Sequence, residues 1–334
     1  MPAPRPAFHN AGPTWRRQTV VDLYDVHPEA GDVHARVLVN ALTGAMDAGH
    51  AAALVAHHLT ETLETRRVLT FHVDELVDYR AHRPPMTFES WRWTDYEEPY
   101  IALDLVRDDE GTELLLLHGR EPDLRWNGFV DAVIAAVERY GVQRTISIHG
   151  VPMGVPHTRP TTVTAHATEH GLVDTPEILG TVQVPGSVTG LIELRLGRAG
   201  HQAVGFSANV PHYLAQSQYH QAAAELVRQI ARSGELALPV GDLERAASEA
   251  AVEIERQVSA SPEVTAVVRA LEQQYDAFMR GVSLEERTTL LAEPVDLPSA
   301  EEIGAAVEAF LADHTDPGES PEDGPGDEGG TTLS

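Results

Sequence analysis

The chain has 334 residues, 42% of them hydrophobic and none of them cysteine. That is enough to bury a sizeable core in one large or two modest domains, and it excludes disulfides, thiolate zinc sites and cysteine nucleophiles. Fifty-one acidic residues face 24 basic ones, every one of them arginine, for a formal net charge of -27, which argues against nucleic acid and anionic membrane as partners and removes lysine Schiff-base and P-loop chemistry.

The Pro-rich start "MPAPRPAFHN" belongs to an arm, residues 1–16, that is expected to be flexible. It lacks the apolar stretch of a signal peptide, and no run of about 18 apolar residues follows, so a soluble cytoplasmic protein is expected. "ARVLVNAL" (35–42) reads as an apolar, β-branched strand, and "TGAMDAGHAAALVAHHLTETLE" repeats small and apolar residues at helical spacing, which predicts strand, turn and helix. On that helix the neighbours His57 and His58 must face different ways, one to solvent and one into packing. "RRVLTFHVDEL" supplies a second strand, and "MTFESWRWTDYEEP" alternates like a ribbon beside Pro84 and Pro85.

Next come the strands "YIALDLV" and "ELLLLHG", a helix over "NGFVDAVIAAVERYG" and the strand "RTISIHG". "TTVTAHAT", "GLIELRL" and "AVGFSANV" read as further strands, and "YHQAAAELVRQIARSG" as the helix that closes the domain. Strands that are apolar throughout and alternate with amphipathic helices predict an α/β domain over 17–236, with a mainly parallel sheet flanked by helices. From 237 to 313 the pattern is helical, punctuated by Pro262 and Gly281, with a last helix over "SAEEIGAAVEAFLADH". Residues 314–334 are acidic, rich in Gly and Pro and nearly free of apolar side chains, so a disordered tail is predicted.

In such a sheet, ligands gather outside the carboxyl ends of parallel strands. Polar residues collect at those places: Asp47 after the first strand; Glu75, Asp78, Arg80 and Arg83 after the second; Arg120, Glu121, Asp123 and Trp126 after "LLLLHG"; His157, Thr158 and Arg159 after "SIHG"; and Pro211, His212 and Tyr213 after "GFSANV". The expectation is a mouth at one sheet edge where Asp47, Arg120, Glu121, His157 and Arg159 lie close together. The loop "HGVPMGVPHTRP" (149–160) forms part of it, with prolines at 152, 156 and 160 that fix φ and make a rigid shelf for His157 and Arg159.

No catalytic motif is complete. "HATEH" (166–170) matches the H-x-x-E-H zinc pattern but follows the β-branched "TTVT" and precedes Gly171, which denies it the helix the pattern needs. "PGSVTG" lacks the G-x-S-x-G spacing, which leaves Ser187 as a turn residue. Asp47 with His157 is chemically able to act as an acid/base pair. Arg120 and Arg159 are suited to grip a phosphate or carboxylate, or to neutralise acidic neighbours. No Gly-rich phosphate loop or dinucleotide fingerprint is present; neither cofactor nor metal is expected.

"NALTGAMDAG", "FHVDELVDYRAHRP", "LHGREPDLRW", "GVPMGVPHTRP", "VPHYLA" and "ALEQQYDAF", in this order, resemble the actinobacterial branch of the proteasome assembly chaperone 2 family over roughly residues 15 to 312. The resemblance implies an α/β domain similar in topology to purine nucleoside phosphorylase with an added helical region, homo-oligomers, proteasome α-subunits as partners and no established enzymatic activity. The resemblance implies that archaeal relatives end in a hydrophobic-Tyr-x docking motif, whereas this chain ends "GGTTLS", so a proteasome contact is expected to use the folded surface or the helical region. Three readings stand: a non-enzymatic, protein-binding chaperone; an enzyme acting on a nucleoside or other small molecule at the mouth; and a self-assembling homo-oligomeric scaffold.

Overall fold

The computed structural model describes residues 23–44, 46–173 and 183–281. The expected arm over 1–16, the helix over 299–314 and the acidic tail lie outside them. Ten strands are present among the described residues: β1 (Tyr24–Val26), β2 (Val37–Thr43), β3 (Glu64–Phe71), β4 (Met86–Glu89), β5 (Arg92–Tyr96), β6 (Ile101–Arg107), β7 (Glu113–Arg120), β8 (Arg144–Met153), β9 (Val163–Ala167) and β10 (Gln202–Pro211). Eight form one sheet in the order β1-β3-β6-β7-β2-β8-β10-β9, while β4 and β5 pair separately as a two-stranded ribbon.

The sheet is mixed, which corrects the mainly parallel expectation. Three pairings are parallel, β2 with β7, β2 with β8 and β8 with β10; the other four are antiparallel. The reason is the connection between β6 and β7. Asp108 Oδ1 accepts hydrogen bonds from the Glu110 N–H at 3.0 Å and the Thr112 N–H at 2.7 Å, a tight turn far too short for a parallel crossover. The apolar runs in β6 and β7 record burial on both faces, not strand direction. Even so, β2, β3, β7, β8 and β10 all run one way, against β1, β6 and β9.

Seven α-helices occur among the described residues: α1 (Ala51–Thr62), the one-turn α2 (Val73–Leu76), α3 (Trp126–Tyr140), α4 (Val188–Arg198), α5 (His220–Gly234), α6 (Gly241–Ser259) and α7 (Pro262–Gly281). "GLIELRL", expected as a strand, lies in α4. The Ser187 hydroxyl accepts the Gly190 N–H at 3.0 Å and starts the helix, and Ile192 and Leu196, four apart, are buried together; cap and i,i+4 packing outweigh the β propensity of the isoleucine. One core joins α1 and α5 to the face carrying Val39, Ile146 and Phe206. The other joins α3 and α4 to the face carrying Leu38, Leu103 and Leu117. No described helix is long and apolar enough to cross a membrane.

This topology creates one special place. From β2 the chain leaves through α1 on one face, and from the neighbouring β7 it leaves through α3 on the opposite face. The carboxyl ends of β2 and β7 therefore flank a topological switch point, where crossovers part and leave a crevice.

Candidate functional site

Asp47 holds a helix start. Its carboxylate accepts the N–H groups of Ala52 at 2.8 Å, Ala53 at 3.2 Å and Gly150 at 3.4 Å, which ties the first turn of α1 to β8. Burial raises its pKa, and those three donors oppose the rise. Glu121 does the same for α4: its backbone N–H donates to Thr43 O at 2.8 Å and its carboxylate accepts the Val188 N–H, an anion at a helix N-terminus. Trp126, the first residue of α3, donates its indole N–H to Pro122 O at 2.7 Å.

His157, Thr158, Arg159, His212 and Tyr213 come together as a clasp. The Tyr213 hydroxyl accepts the His157 backbone N–H at 2.9 Å and donates to His157 Nδ1 at 2.8 Å, which leaves Nε2 facing Glu255 of α6 at 3.7 Å. His212 packs edge-on against Tyr213, ring centroids 5.3 Å apart. The Thr158 hydroxyl donates to Glu272 at 2.5 Å, and Arg159 forks onto both oxygens of Asp276 at 2.8 Å, with Glu272 at 3.2 Å. Burial lowers the pKa of His157, against Glu255; the bond to Asp276 raises that of Arg159. Of the expected shelf 149–160, the first five residues continue β8 to Met153, and its cation is spent on α7. These residues hold the helical pair α6–α7 against the domain.

Arg83 and Arg120 line the crevice at the switch point, a cavity of about 360 Å³. Arg120 ends β7 opposite Thr43 of β2. Beneath the crevice a polar relay is built on the buried pair His118 and Asp104. The Tyr100 hydroxyl lies 3.4 Å from His118 Nδ1, His118 Nε2 donates to Asp104 at 2.8 Å, and Arg67 pairs with the same carboxylate. Burial alone would raise the pKa of Asp104; His118 and Arg67 outweigh it and hold the carboxyl below its ordinary value. Arg80 belongs to neither group: it is exposed, its guanidinium 3.4 Å from Asp78.

The five side chains expected to converge all follow strands that run in one direction, yet each serves a different partner. Residues that sequence reasoning passed over carry a third cluster under α4. Asn40, fully buried in β2, donates to Ser147 at 3.3 Å and Thr189 at 3.5 Å. His149 Nε2 lies 3.0 Å from the Ser207 hydroxyl, and burial pushes its pKa down to about 4. The available signal was a polar residue inside an otherwise apolar strand, as in "VLVNALT", "IALDLV" and "LLLLHG". In "HATEH", His166 sits on β9 with Nδ1 2.8 Å from Glu193, so the zinc pattern has no helix beneath it. Among the described residues no group of three His, Asp or Glu side chains is placed to hold a metal.

The ribbon is the other unusual surface. Every residue of β4 and β5 is exposed, including Met86, Phe88, Trp93 at 62% and Tyr96, and so is Trp91 at 79% in the turn between them. Phe88 and Trp93 meet edge to face at 5.0 Å, which presents a preformed aromatic face.

The PAC2 family model matches residues 41–258. A Mycobacterium tuberculosis protein of unknown function, Rv2714, is 46% identical, with 78% of this chain and 90% of that one covered at a TM-score of 0.76. A Corynebacterium glutamicum protein of unknown function is 38% identical, covering 78% of this chain and 99% of its own at a TM-score of 0.74. A proteasome-assembly chaperone homologue of M. tuberculosis, Rv2125, is 25% identical over 70% of this chain and 99% of its own, with a TM-score of 0.63. No curated protein matches.

Proposed function

The chain belongs to the PAC2 family, and from that premise we propose that it is a chaperone-like, protein-binding member that engages proteasome α-subunits through the aromatic face of β4–β5. The ribbon carries the reading. Met86, Phe88, Trp91, Trp93 and Tyr96 all stand exposed within one short hairpin, a denser run of exposed large apolar side chains than any other among the described residues. Tryptophans left this exposed are costly in water and are among the side chains that dominate protein interfaces. Glu89 and Asp95 stand exposed on the ribbon itself, which suits an apolar partner surface edged with cations.

A second reading rests on α6 and α7, which expose Val252, Val264, Val267 and Met279; there a second copy of the chain covers these stripes in a homo-oligomer. One experiment separates the two. Trp91→Ala/Trp93→Ala is expected to lose co-elution with proteasome α-subunits while keeping the wild-type sedimentation coefficient. If the variant sediments as a smaller species and still binds the subunits, the ribbon is a contact between copies and the first reading falls.

A further inference from the structure

The crevice at the switch point is distinct from both the ribbon's aromatic face and the clasp, and its two arginines are not spent. In a chain with 51 acidic residues for 24 arginines, most cations are expected to be paired. Arg159, Arg107 and Arg228 each meet two carboxylates. Arg83 and Arg120 line one cavity of about 360 Å³, and neither guanidinium has an ion-pair or hydrogen-bond partner among the described residues. Arg120 is half-buried there. A guanidinium that has given up part of its hydration without gaining an acceptor marks a place where an acceptor is missing.

The same cavity is lined by Glu97 and Glu98 and by Thr43 and Tyr100. Two signs of charge on one wall exclude a bare anion and a bare cation alike. They call for a ligand with a dianionic group for the arginines and hydroxyl donors for the carboxylates. The volume falls in the range of small-molecule sites, and the place is where open α/β sheets bind them. The wall is also rigid. Tyr100 is held from below by His118 and Asp104, and the Arg120 N–H donates to Tyr100 O at 3.0 Å. Gly119, at φ +107°, lets the two segments approach so closely that a Cβ there would stand 2.1 Å from Tyr100 O.

We propose that this crevice binds a small hydroxylated phosphate ester, of sugar- or nucleoside-monophosphate size, with its phosphate between Arg83 and Arg120 and its hydroxyls on Glu97 and Glu98. A phosphate monoester carries close to two negative charges at neutral pH, which matches two guanidinium groups. Binding is non-covalent and independent of the ribbon.

The test is isothermal titration of the full chain with inorganic phosphate, ribose, ribose 5-phosphate, glucose 6-phosphate and adenosine monophosphate. At least one ester is expected to bind about tenfold or more tighter than inorganic phosphate, and ribose not at all. Arg120→Ala and Arg83→Ala should each weaken the ester by about tenfold or more, while Glu97→Gln/Glu98→Gln brings it down to the level of inorganic phosphate. Circular dichroism and the thermal midpoint of each variant confirm that it is folded. Trp91→Ala/Trp93→Ala must leave ester binding intact, which keeps this result separate from that of the ribbon. No ester binding tighter than inorganic phosphate, or ester binding kept in the Arg83→Ala/Arg120→Ala double variant, overturns the proposal.

Discussion

Arg159 and Arg120 start from the same local circumstances and end in opposite ones. Each stands at or beyond the carboxyl end of a strand that runs with β2, Arg120 closing β7 and Arg159 following β8, with a proline close by in sequence. Arg159 has met Asp276 and Glu272, 117 and 113 residues further along the chain, and has become part of the clasp that holds α7. Arg120 has met no carboxylate and faces a cavity. An arginine at a strand end is thus structural or available according to what the rest of the chain folds onto it, and the crevice half of the sheet edge is open where the clasp half is closed.

The comparison breaks most visibly beneath the crevice, where openness above depends on complete pairing below. Asp104→Ala removes the acceptor of both His118 and Arg67, and urea unfolding should show a loss of about 3 kcal/mol or more, the cost of stranding a buried charge partner. A loss under about 1 kcal/mol would mean that the floor is not fixed by this relay.

Acid separates the halves next. His149, on β8 of the clasp half, is held near a pKa of about 4 by burial. A histidine kept neutral in the fold binds its proton more readily once unfolded. Its contribution is therefore complete above the unfolded value near 6.5 and is lost as pH falls toward about 4, up to about 3 kcal/mol. His166 acts in a different window: its hydrogen bond to Glu193 raises its pKa, so its contribution is complete below about 6.5 and declines as pH rises above it. Stability measured between pH 7 and pH 4 should fall less in His149→Gln than in the wild type. Equal slopes would remove His149 as the cause.

Smaller and more local is the effect of the clasp cation. Arg159→Ala should leave the sheet's hydrogen-exchange protection unchanged while amides of α7 exchange several-fold faster, because the pairs broken are partly exposed and anchor one helix only. Smallest of all, Arg120→Ala should alter the unfolding free energy by no more than about 0.5 kcal/mol. If Arg120→Ala destabilises as much as Asp104→Ala, the guanidinium has a structural partner and the contrast between the two halves is lost.

How much of this was legible follows from the range of the forces involved. Residue period marked β2, β8 and β10 as buried strands and α3 and α5 as helices, because side-chain burial along one element repeats with that element's own geometry. The alternation in "MTFESWRWTDYEEP" marked the ribbon, and a strand-to-helix change marked each loop at the sheet edge. Strand direction escaped that reading, since β6 and β7 are covered on both faces and look the same in either orientation; the tight turn at Asp108 decided it. "GLIELRL" escaped it too, because seven apolar-rich residues fit both periods until Ser187 caps one of them. What the sequence by itself determined was the set of elements and the polar residues at their ends. Which of those residues are spent and which are available was decided only by the tertiary structure, because an ion pair such as Arg159 with Asp276 joins positions more than a hundred residues apart, and no local pattern encodes that meeting.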